Sequence, residues 1–214
     1  MGSITRRKRM RMLRGLVLSV CLLGVGAGPV WAEETQPGIE AAQAEQMEKM
    51  NRLGAPGEAH KALQPFVGRW TYTGSFWMAP DQPPMTMKGM ADNTLIFGQR
   101  FLKQRVFGDP MEAGGRPFKG LGFIGYDNLR KEYQTIWFDN MMTGIMRGIG
   151  QFDASTQTLS DSGTFSCPMT GEADHWYRSA WTVVDFDHTR YESYSKTPEG
   201  KEFKAMEILY TRGG

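Results

Sequence analysis

The stretch LQPFVGRWTYTGSF, residues 63–76, decides the fold that we predict for this chain. It opens with a short apolar turn and passes through Gly68 into a run in which every second residue shares a character. One alternating set is apolar and the other is polar: Trp70, Tyr72, Gly74 and Phe76, and Arg69, Thr71, Thr73 and Ser75. This alternation predicts a β-strand with one buried face, and it puts Trp70 inside near the start of the strand.

The chain beyond this first strand repeats the same texture. Short runs rich in Thr, Tyr, Phe, Trp and Ile are separated about every ten residues by Gly, Asp, Asn or Pro, which is typical of an all-β sandwich or barrel. The separating segments, such as YDNLRK and TPEGK, are short enough for hairpins and therefore favour antiparallel pairing. We predict about ten strands, near residues 68–78, 85–97, 99–107, 118–126, 131–139, 144–152, 157–165, 174–184, 188–196 and 201–212.

The segment 33–56, before this region, is predicted to be a helix or linker. It is rich in Glu, Gln, Ala and Met, and apolar residues recur in it at roughly helical spacing. That pattern predicts one amphipathic helix ending at Gly54, and a second short helical turn in EAHKALQPFV that Pro65 ends. The apolar residues of the first helix are Ile39, Met47, Met50 and Leu53.

Residues 1–32 show the charged, apolar and cleavable order of a secretory signal peptide. RRKRMRMLRG is followed by LVLSVCLLGVGAG and then by PVWA, with small residues before the expected cut after Ala32. The apolar run is shorter than the about 20 residues of a membrane-spanning helix. We therefore expect a mature chain without a transmembrane segment, beginning at Glu33 and periplasmic or secreted.

Two variants of this signal are open at the sequence level. The pair Arg6 and Arg7 resembles a twin-arginine signal, and the segment LSVC resembles a lipoprotein cleavage box in which Cys21 would be lipidated. Val20 is bulky for that box, and the apolar run continues past Cys21, so we favour the simple secretory signal.

The charge and cysteine content of the mature chain argue against a nucleic-acid-binding protein and against a domain stabilised by disulfides. The full chain has 25 basic and 23 acidic residues, and six basic and no acidic residues fall within 1–32, which leaves 19 basic against 23 acidic side chains. A net charge of −4 predicts no nucleic-acid partner. Cys167 alone remains after the cut, so no internal disulfide can form, and residues 57–214 must be stabilised as one domain by their core.

The first and last strands resemble the calycin superfamily of lipocalins and fatty-acid-binding proteins. The resemblance is carried by Gly68, Arg69 and Trp70 where the first strand opens, and by Arg212 where the last one ends. It implies that the tryptophan packs at the closed base of a barrel. It also implies that Arg212 lies across the tryptophan ring, a cation–π contact of about 0.5–2 kcal/mol.

Five further segments are similar, in order, to a bacterial secreted family known as domain of unknown function fifteen-seventy-nine. The family implies a lipocalin-like barrel and supplies no catalytic residues. Its members often carry two glycines before the arginine of GQRFLKQ, where this chain has Gly98 and Gln99. The segments cover nearly all of residues 57–212 and are EAHKALQPFVGRW, GQRFLKQ, RPFKGLGFIGYDN, YQTIWFDN and GKEFKAMEILYTR.

The run from Gly120 to Gly125 matches the G-x-G-x-x-G pattern of dinucleotide-binding folds. That motif works only where a strand ends and a helix begins, and here a turn and another strand follow. We interpret Gly120 and Gly122 structurally instead: they leave one strand face bare, so either an aromatic ring from across the barrel packs there or the space belongs to a cavity.

Aromatic and polar residues that share strand faces are our candidates for a ligand cavity. Asp139 is expected to pair with Arg100 or Arg178 if it points inward, and to cap a turn with Asn140 if it lies at the rim, which we favour. The predicted ligand-binding set is Trp70, Tyr72, Arg100, Tyr133, Trp137, Asp139, His175, Tyr177 and Trp181, and the predicted barrel-closure set is Gly68, Trp70 and Arg212.

Metal and cofactor chemistry has weaker support in the sequence. His175 is the candidate for haem ligation inside a barrel, but a lone histidine is more often a satisfied or solvated one, and no two histidines have metal spacing. Thioethers can bind Cu(I), but methionine is also the usual filler of apolar pockets. We predict no metal and no cofactor. The clustered methionines are Met85, Met87, Met90, Met141, Met142 and Met146.

Three functions follow from these patterns. The first is an exported barrel that binds a small apolar or amphipathic molecule. The second is an enzyme on the same barrel that uses Asp139, His175 or Arg100; no nucleophile signature, such as G-x-S-x-G, supports it. The third is a module that binds a protein partner in the envelope through the barrel surface and the N-terminal helix, which a broad exposed apolar patch would favour.

Overall fold

The computed structural model describes residues 37–110 and 114–213. The predicted signal peptide, its variants and the cleavage site therefore lie outside the described residues. The chain divides into two compact units, Met1–Ala41 and Ala42–Gly214, and the ten strands belong to the second. No helix in the described part of the chain is long and apolar enough to cross a membrane.

Two helices and a 3₁₀ turn precede ten strands in the described chain. Helix α1 spans Pro37–Gly54, α2 spans Glu58–Lys61, and the 3₁₀ turn spans Gln64–Phe66. The strands are β1 (Gly68–Phe76), β2 (Met85–Ile96), β3 (Phe101–Gly108), β4 (Phe118–Asp127), β5 (Glu132–Asp139), β6 (Met146–Asp153), β7 (Thr158–Phe165), β8 (His175–Val183), β9 (His188–Lys196) and β10 (Glu202–Arg212).

The strands form a closed antiparallel barrel, which confirms the predicted fold class. Each strand pairs with the next along the chain, and β1 pairs with β10 to complete the circle. All ten predicted strands are present, with no boundary more than two residues from its predicted position. Closure removes every sheet edge, so the backbone hydrogen bonds of the strands are satisfied within the barrel.

The segment between α1 and β1 plugs one end of the barrel. Leu63 and Phe66 are completely buried, and the Phe66 ring lies 4.3 Å from that of Trp181, centroid to centroid. Pro65 does not end this segment, as the sequence predicted, but lies inside the 3₁₀ turn, where its fixed φ suits a first turn and its missing N–H costs nothing. The core at this end contains Leu63, Phe66, Leu102, Ile124, Tyr133, Leu159 and Trp181.

The first and last strands meet above this plug, where Arg212 lies over Trp70. The Arg212 guanidinium carbon is 4.1 Å from the centroid of the Trp70 ring, and Nη1 donates to the Val67 carbonyl at 2.9 Å. The Trp70 indole N–H donates to the Phe66 carbonyl at 3.0 Å. Gly68 has φ +135°, and a Cβ there would come within 2.6 Å of Arg212 Nη1. The bare glycine is what lets the guanidinium reach the turn.

Helix α1 forms where it was predicted, but its apolar residues are not buried. Met47 and Met50 are more than half exposed. Its C-terminal end is anchored by the Asn128 side-chain amide, which donates to the Leu53 and Ala55 carbonyls at 2.8 Å each. The helix therefore contributes little to the core of the barrel.

Truncating Trp70 is expected to destabilise the barrel strongly. The ring is 1 % exposed, so Trp70→Ala should lower the free energy of unfolding by about 3–5 kcal/mol. Urea unfolding followed by circular dichroism measures this. The matched control is Trp176→Ala, since that ring lies on the outer face of β8 beneath Lys196 and should cost about 1 kcal/mol or less. Equal losses in the two variants would contradict the role given to Trp70.

Candidate binding cavity

The barrel encloses a cavity of about 610 Å³ at the end opposite the plug. Its mouth is formed by the connections after β1, β3, β5, β7 and β9, because an antiparallel meander places every second connection at the same end. The volume falls within the usual range for small-molecule sites. The aromatic residues in its wall are Tyr72, Phe76, Trp77, Phe118, Trp137, Phe165, Tyr177, Trp181, Tyr191, Tyr194, Phe203 and Tyr210.

Trp137 is fixed in this wall by two glycines of the adjacent strand. Gly122 is paired with Trp137 in the β4–β5 ladder, and a Cβ at Gly120 or Gly122 would collide with the indole. The aromatic ring predicted to cover these glycines is therefore present, but it comes from the neighbouring strand and not from across the barrel. The Trp137 indole N–H donates to Asp139 Oδ2 at 2.9 Å.

Asp139 lies at the rim of the cavity and caps a turn. Its Oδ1 accepts the Met141 backbone N–H at 2.8 Å. The predicted pairing with Arg100 or Arg178 is wrong, because Arg178 instead donates to Glu202 on the outer surface. The turn-capping interpretation matches what the structure shows.

A second carboxylate, which the sequence analysis missed, lies inside the barrel. Asp161 of β7 accepts hydrogen bonds from Thr135 Oγ1 at 2.7 Å, from the Tyr177 hydroxyl at 2.9 Å and from the Ser179 hydroxyl. The backbone makes room for this group at Gly148, where a Cβ would collide with Asp161, Thr135 and Tyr177. Asp161, Thr135, Tyr177 and Ser179 are called the hydroxyl cluster below.

The tyrosines beside this cluster hold their protons strongly. Burial raises the pKa of Tyr177 far above its usual range, and the charge of Asp161 adds to the effect. The pKa of Tyr191 is raised by the same two causes in the same order. Both phenols therefore stay neutral across the physiological range and act as hydrogen-bonding groups, not as bases.

His175 forms a second polar group nearer the mouth. Its Nε2 lies 2.6 Å from Ser195 Oγ, and its Nδ1 is hydrogen-bonded to the carboxylate of Glu172. His175 and Ser195 are 8 % and 9 % exposed, and both border the cavity. Both ring nitrogens of His175 are therefore engaged in hydrogen bonds within the protein.

Three of the predicted cavity residues are elsewhere. Trp70 is buried at the base. Tyr133 belongs to the core at the plugged end and donates its hydroxyl to the Ala59 carbonyl at 2.6 Å, where burial raises its pKa to about 12. Arg100 is exposed outside the barrel, in the β2–β3 turn, and its Nε donates to the Gly54 carbonyl at 2.9 Å. Tyr72, Trp137, Asp139, His175, Tyr177 and Trp181 do border the cavity.

The turn that holds Arg100 requires left-handed backbone at consecutive residues. Gln99 has φ +69°, and Gly98 before it has φ +65°. A glycine adopts this left-handed conformation without strain, so the second glycine common in the family suits the position, and this chain places a glutamine there at some conformational cost.

Methionines gather around the cavity more than the sequence analysis predicted. Five of the six clustered methionines border it, while Met90 is exposed on the outer face of β2. Cys167, which is free and buried, lies beside them. Flexible thioethers give a wall that adapts to the shape of a guest. The methionines that border the cavity are Met78, Met85, Met87, Met141, Met142, Met146, Met169 and Met206.

The outer face of the barrel mixes apolar and basic side chains. Met90, Ile136 and Ile149 are exposed there, and the Arg105 guanidinium carbon lies 5.3 Å from the Phe107 ring centroid. Phe107 is also paired with Lys119 across the β3–β4 ladder. The exposed apolar residues on these strands are therefore interrupted by positive charge.

A closed antiparallel barrel with a plugged base and a mostly apolar cavity open at one end is a lipocalin-like fold. The family model described as "Protein of unknown function (DUF1579)" matches residues 55–212. The chain belongs to this family, as the sequence motifs indicated. No curated protein matches it in the sequence comparison.

Two solved structures are similar to this chain at low sequence identity. The structure of Rv2717c from M. tuberculosis is 16 % identical, with 75 % of this chain and 100 % of that chain covered and a TM-score of 0.56. The S-type phycobiliprotein lyase CPES from Guillardia theta is 10 % identical over 74 % and 99 % of the two chains, with a TM-score of 0.49. At these identities the similarity concerns the fold alone.

The Tyr177 phenol is expected to make the fold sensitive to alkali. Its folded pKa is raised above the ordinary value of 10.0, so its stabilising contribution is complete below pH 10 and is lost as the pH rises beyond it. Above pH 10 each such tyrosine lowers the free energy of unfolding by about 1.4 kcal/mol per pH unit. Urea unfolding between pH 9 and about 11 should give a shallower decline for Tyr177→Phe than for the wild type, and equal slopes would contradict this assignment.

Proposed function

We propose that this protein is an exported barrel that binds one small apolar or amphipathic molecule in its cavity. The observation that carries the proposal is a cavity of about 610 Å³, bordered by aromatic and methionine side chains and open at one end of a plugged barrel. Export is supported by the sequence order of residues 1–32. Export is tested by the intact mass of the protein recovered from the periplasm of a bacterial host, because cleavage after Ala32 leaves a chain starting at Glu33.

The residues that border the cavity also indicate which chemistry a ligand needs. Ligand sites are usually concave, mostly apolar and equipped with a few polar groups. Here the wall of rings and thioethers offers apolar contact, while the hydroxyl cluster and the His175–Ser195 pair offer two polar anchors at different heights. A guest with an apolar body and at least one polar group satisfies both parts of the wall.

Blocking the cavity should abolish binding without unfolding the barrel. Saturable binding of the neutral fluorophore N-phenyl-1-naphthylamine, one per chain, is expected for the mature protein. Ser193 faces the cavity from β9, so Ser193→Phe should weaken binding by at least about tenfold because the ring occupies the guest's space. Ser162→Phe adds the same ring to the exposed outer face of β7 and should bind as the wild type does.

Two outcomes would reject the binding function. The first is an absence of saturable fluorescence with the wild type, and the second is equal affinity in Ser193→Phe and Ser162→Phe. Circular dichroism of both variants shows whether each barrel is folded before binding is compared.

A second candidate function is hydrolysis of an ester with an apolar acyl group. It is favoured by one observation: His175 lies between the Ser195 hydroxyl and the Glu172 carboxylate. This is the order of nucleophile, base and orienting acid found in serine hydrolases, which are recognised by geometry and not by sequence position. The same contacts also hold the β7–β8 connection against β9, so a purely structural role needs nothing more.

Ester hydrolysis by these residues would pass through an acyl-serine intermediate. Ser195 Oγ would bond to the ester carbonyl carbon while its proton passes to His175 Nε2. Collapse of the adduct would break the bond to the alcohol, which takes that proton. Water would then attack the acyl-serine in the same way, releasing the acid and restoring the serine hydroxyl.

Hydrolysis of p-nitrophenyl butyrate separates the catalytic role from the structural one. If the group is catalytic, the wild type accelerates hydrolysis and Ser195→Ala returns the rate to that of buffer. Ser160→Ala, on the exposed outer face of β7, should keep the wild-type rate. A wild-type rate equal to that of buffer, or unchanged activity in Ser195→Ala, would assign the group to loop anchoring alone.

A further inference from the structure

The hydroxyl cluster presents only hydrogen-bond acceptors to the cavity. Thr135, Tyr177 and Ser179 each have one hydroxyl hydrogen, and each donates it to Asp161. An ionised carboxylate has no hydrogen to donate. A guest that reaches the cluster therefore meets the lone pairs of Asp161 and of three hydroxyl oxygens, and it must supply the hydrogens itself.

No basic side chain neutralises Asp161 in the described part of the chain. The ion pairs there involve other carboxylates. The two lysines that border the cavity are both engaged elsewhere: Lys88 is 3.3 Å from Asp109, and Lys196 lies over the Trp176 ring on the outer surface. The interior thus holds a negative charge whose only close partners are neutral hydroxyls.

The position of Asp161 along the barrel suits the head of an elongated guest. On the inward face of β7, Leu159 belongs to the core at the plugged end and Phe165 borders the cavity. Asp161 lies between them, below the wall of methionines and rings. A polar head at Asp161 would leave an apolar tail pointing toward the mouth, in contact with side chains that attract apolar chains.

We propose that the cavity selects a protonated primary amine with an apolar tail, and that Asp161 recognises the ammonium group. An ammonium group offers three hydrogens and a positive charge, which match an acceptor-only cluster with one unneutralised negative charge. Asp161 is already partly withdrawn from water in the folded barrel, so an incoming cation supplies the charge partner that this carboxylate lacks. This inference rests on the proposed binding function and names its ligand class.

The test compares two guests that differ only in their head group. Decylamine, which is protonated at pH 7, and 1-decanol are each titrated against N-phenyl-1-naphthylamine bound to the mature protein. We expect decylamine to displace the fluorophore at a concentration at least about tenfold lower than decanol, which corresponds to about 1.4 kcal/mol.

Matched variants assign the preference to Asp161. Asp161→Asn keeps the shape of the side chain and removes its charge, so the decylamine preference should shrink to less than about twofold while the neutral fluorophore still binds. Asp92→Asn makes the same change on the outer face of β2, where Asp92 is 3.9 Å from Arg105, and should keep the wild-type preference. Fluorophore binding by Asp161→Asn shows that this variant is folded.

The outcomes separate this inference from the function on which it rests. If the fluorophore binds but the wild type does not distinguish decylamine from decanol, the amine inference is rejected and the binding function stands. A preference that persists in Asp161→Asn rejects the role of Asp161. If the fluorophore does not bind to the wild type at all, the binding function fails, and the amine inference fails with it.

Discussion

The whole structure depends on the closure of β1 against β10, and Arg212 secures that closure at the base. Its guanidinium lies over Trp70, and it donates to the Pro65, Val67 and Phe186 carbonyls. One side chain therefore connects the last strand, the first strand and the turn that carries the plug. The β1–β10 ladder, from Trp70 opposite Arg212 to Phe76 opposite Met206, removes the two sheet edges, and Arg212 supports the tryptophan at the end of that ladder.

Closing one end of the barrel makes the two ends of its interior different. Leu63 and Phe66 of the plug pack with Trp181 in the lower part of the barrel, and the cavity lies above them. There the wall changes from tightly packed rings to a mixture of aromatic, thioether and hydroxyl groups. Asp161 can lie at that level because three hydroxyl donors replace the water it loses, which a core of hydrocarbon alone would not do.

The fold was predictable because its signals lie within short stretches of sequence. The position of a residue along the barrel axis has no such local signal and was not predictable. Alternation along a strand indicates which side chains point inward, and it is correct in this sense for Tyr72, Tyr133 and Trp137. It gives no position along the barrel axis, so Tyr133 was assigned to the cavity although it belongs to the plugged end. The prediction that Arg100 borders the cavity is wrong for another reason. Strand β3 begins one residue after Arg100, so Arg100 lies in a turn and has no inward face.

The residues missed in the sequence show what long-range pairing adds. Asp161 comes two residues after Leu159 in TLSDSGTF and shares its face of the strand, so its inward direction could have been predicted from the strand alone. Its donors could not, because Thr135 and Tyr177 come from β5 and β8, and the space they share exists only because Gly148 of β6 has no side chain. An inward-facing carboxylate needs hydrogen-bond donors, and the register between strands determines which residues supply them. The chemistry of this cavity is therefore a property of the closed barrel, and no single strand contains it.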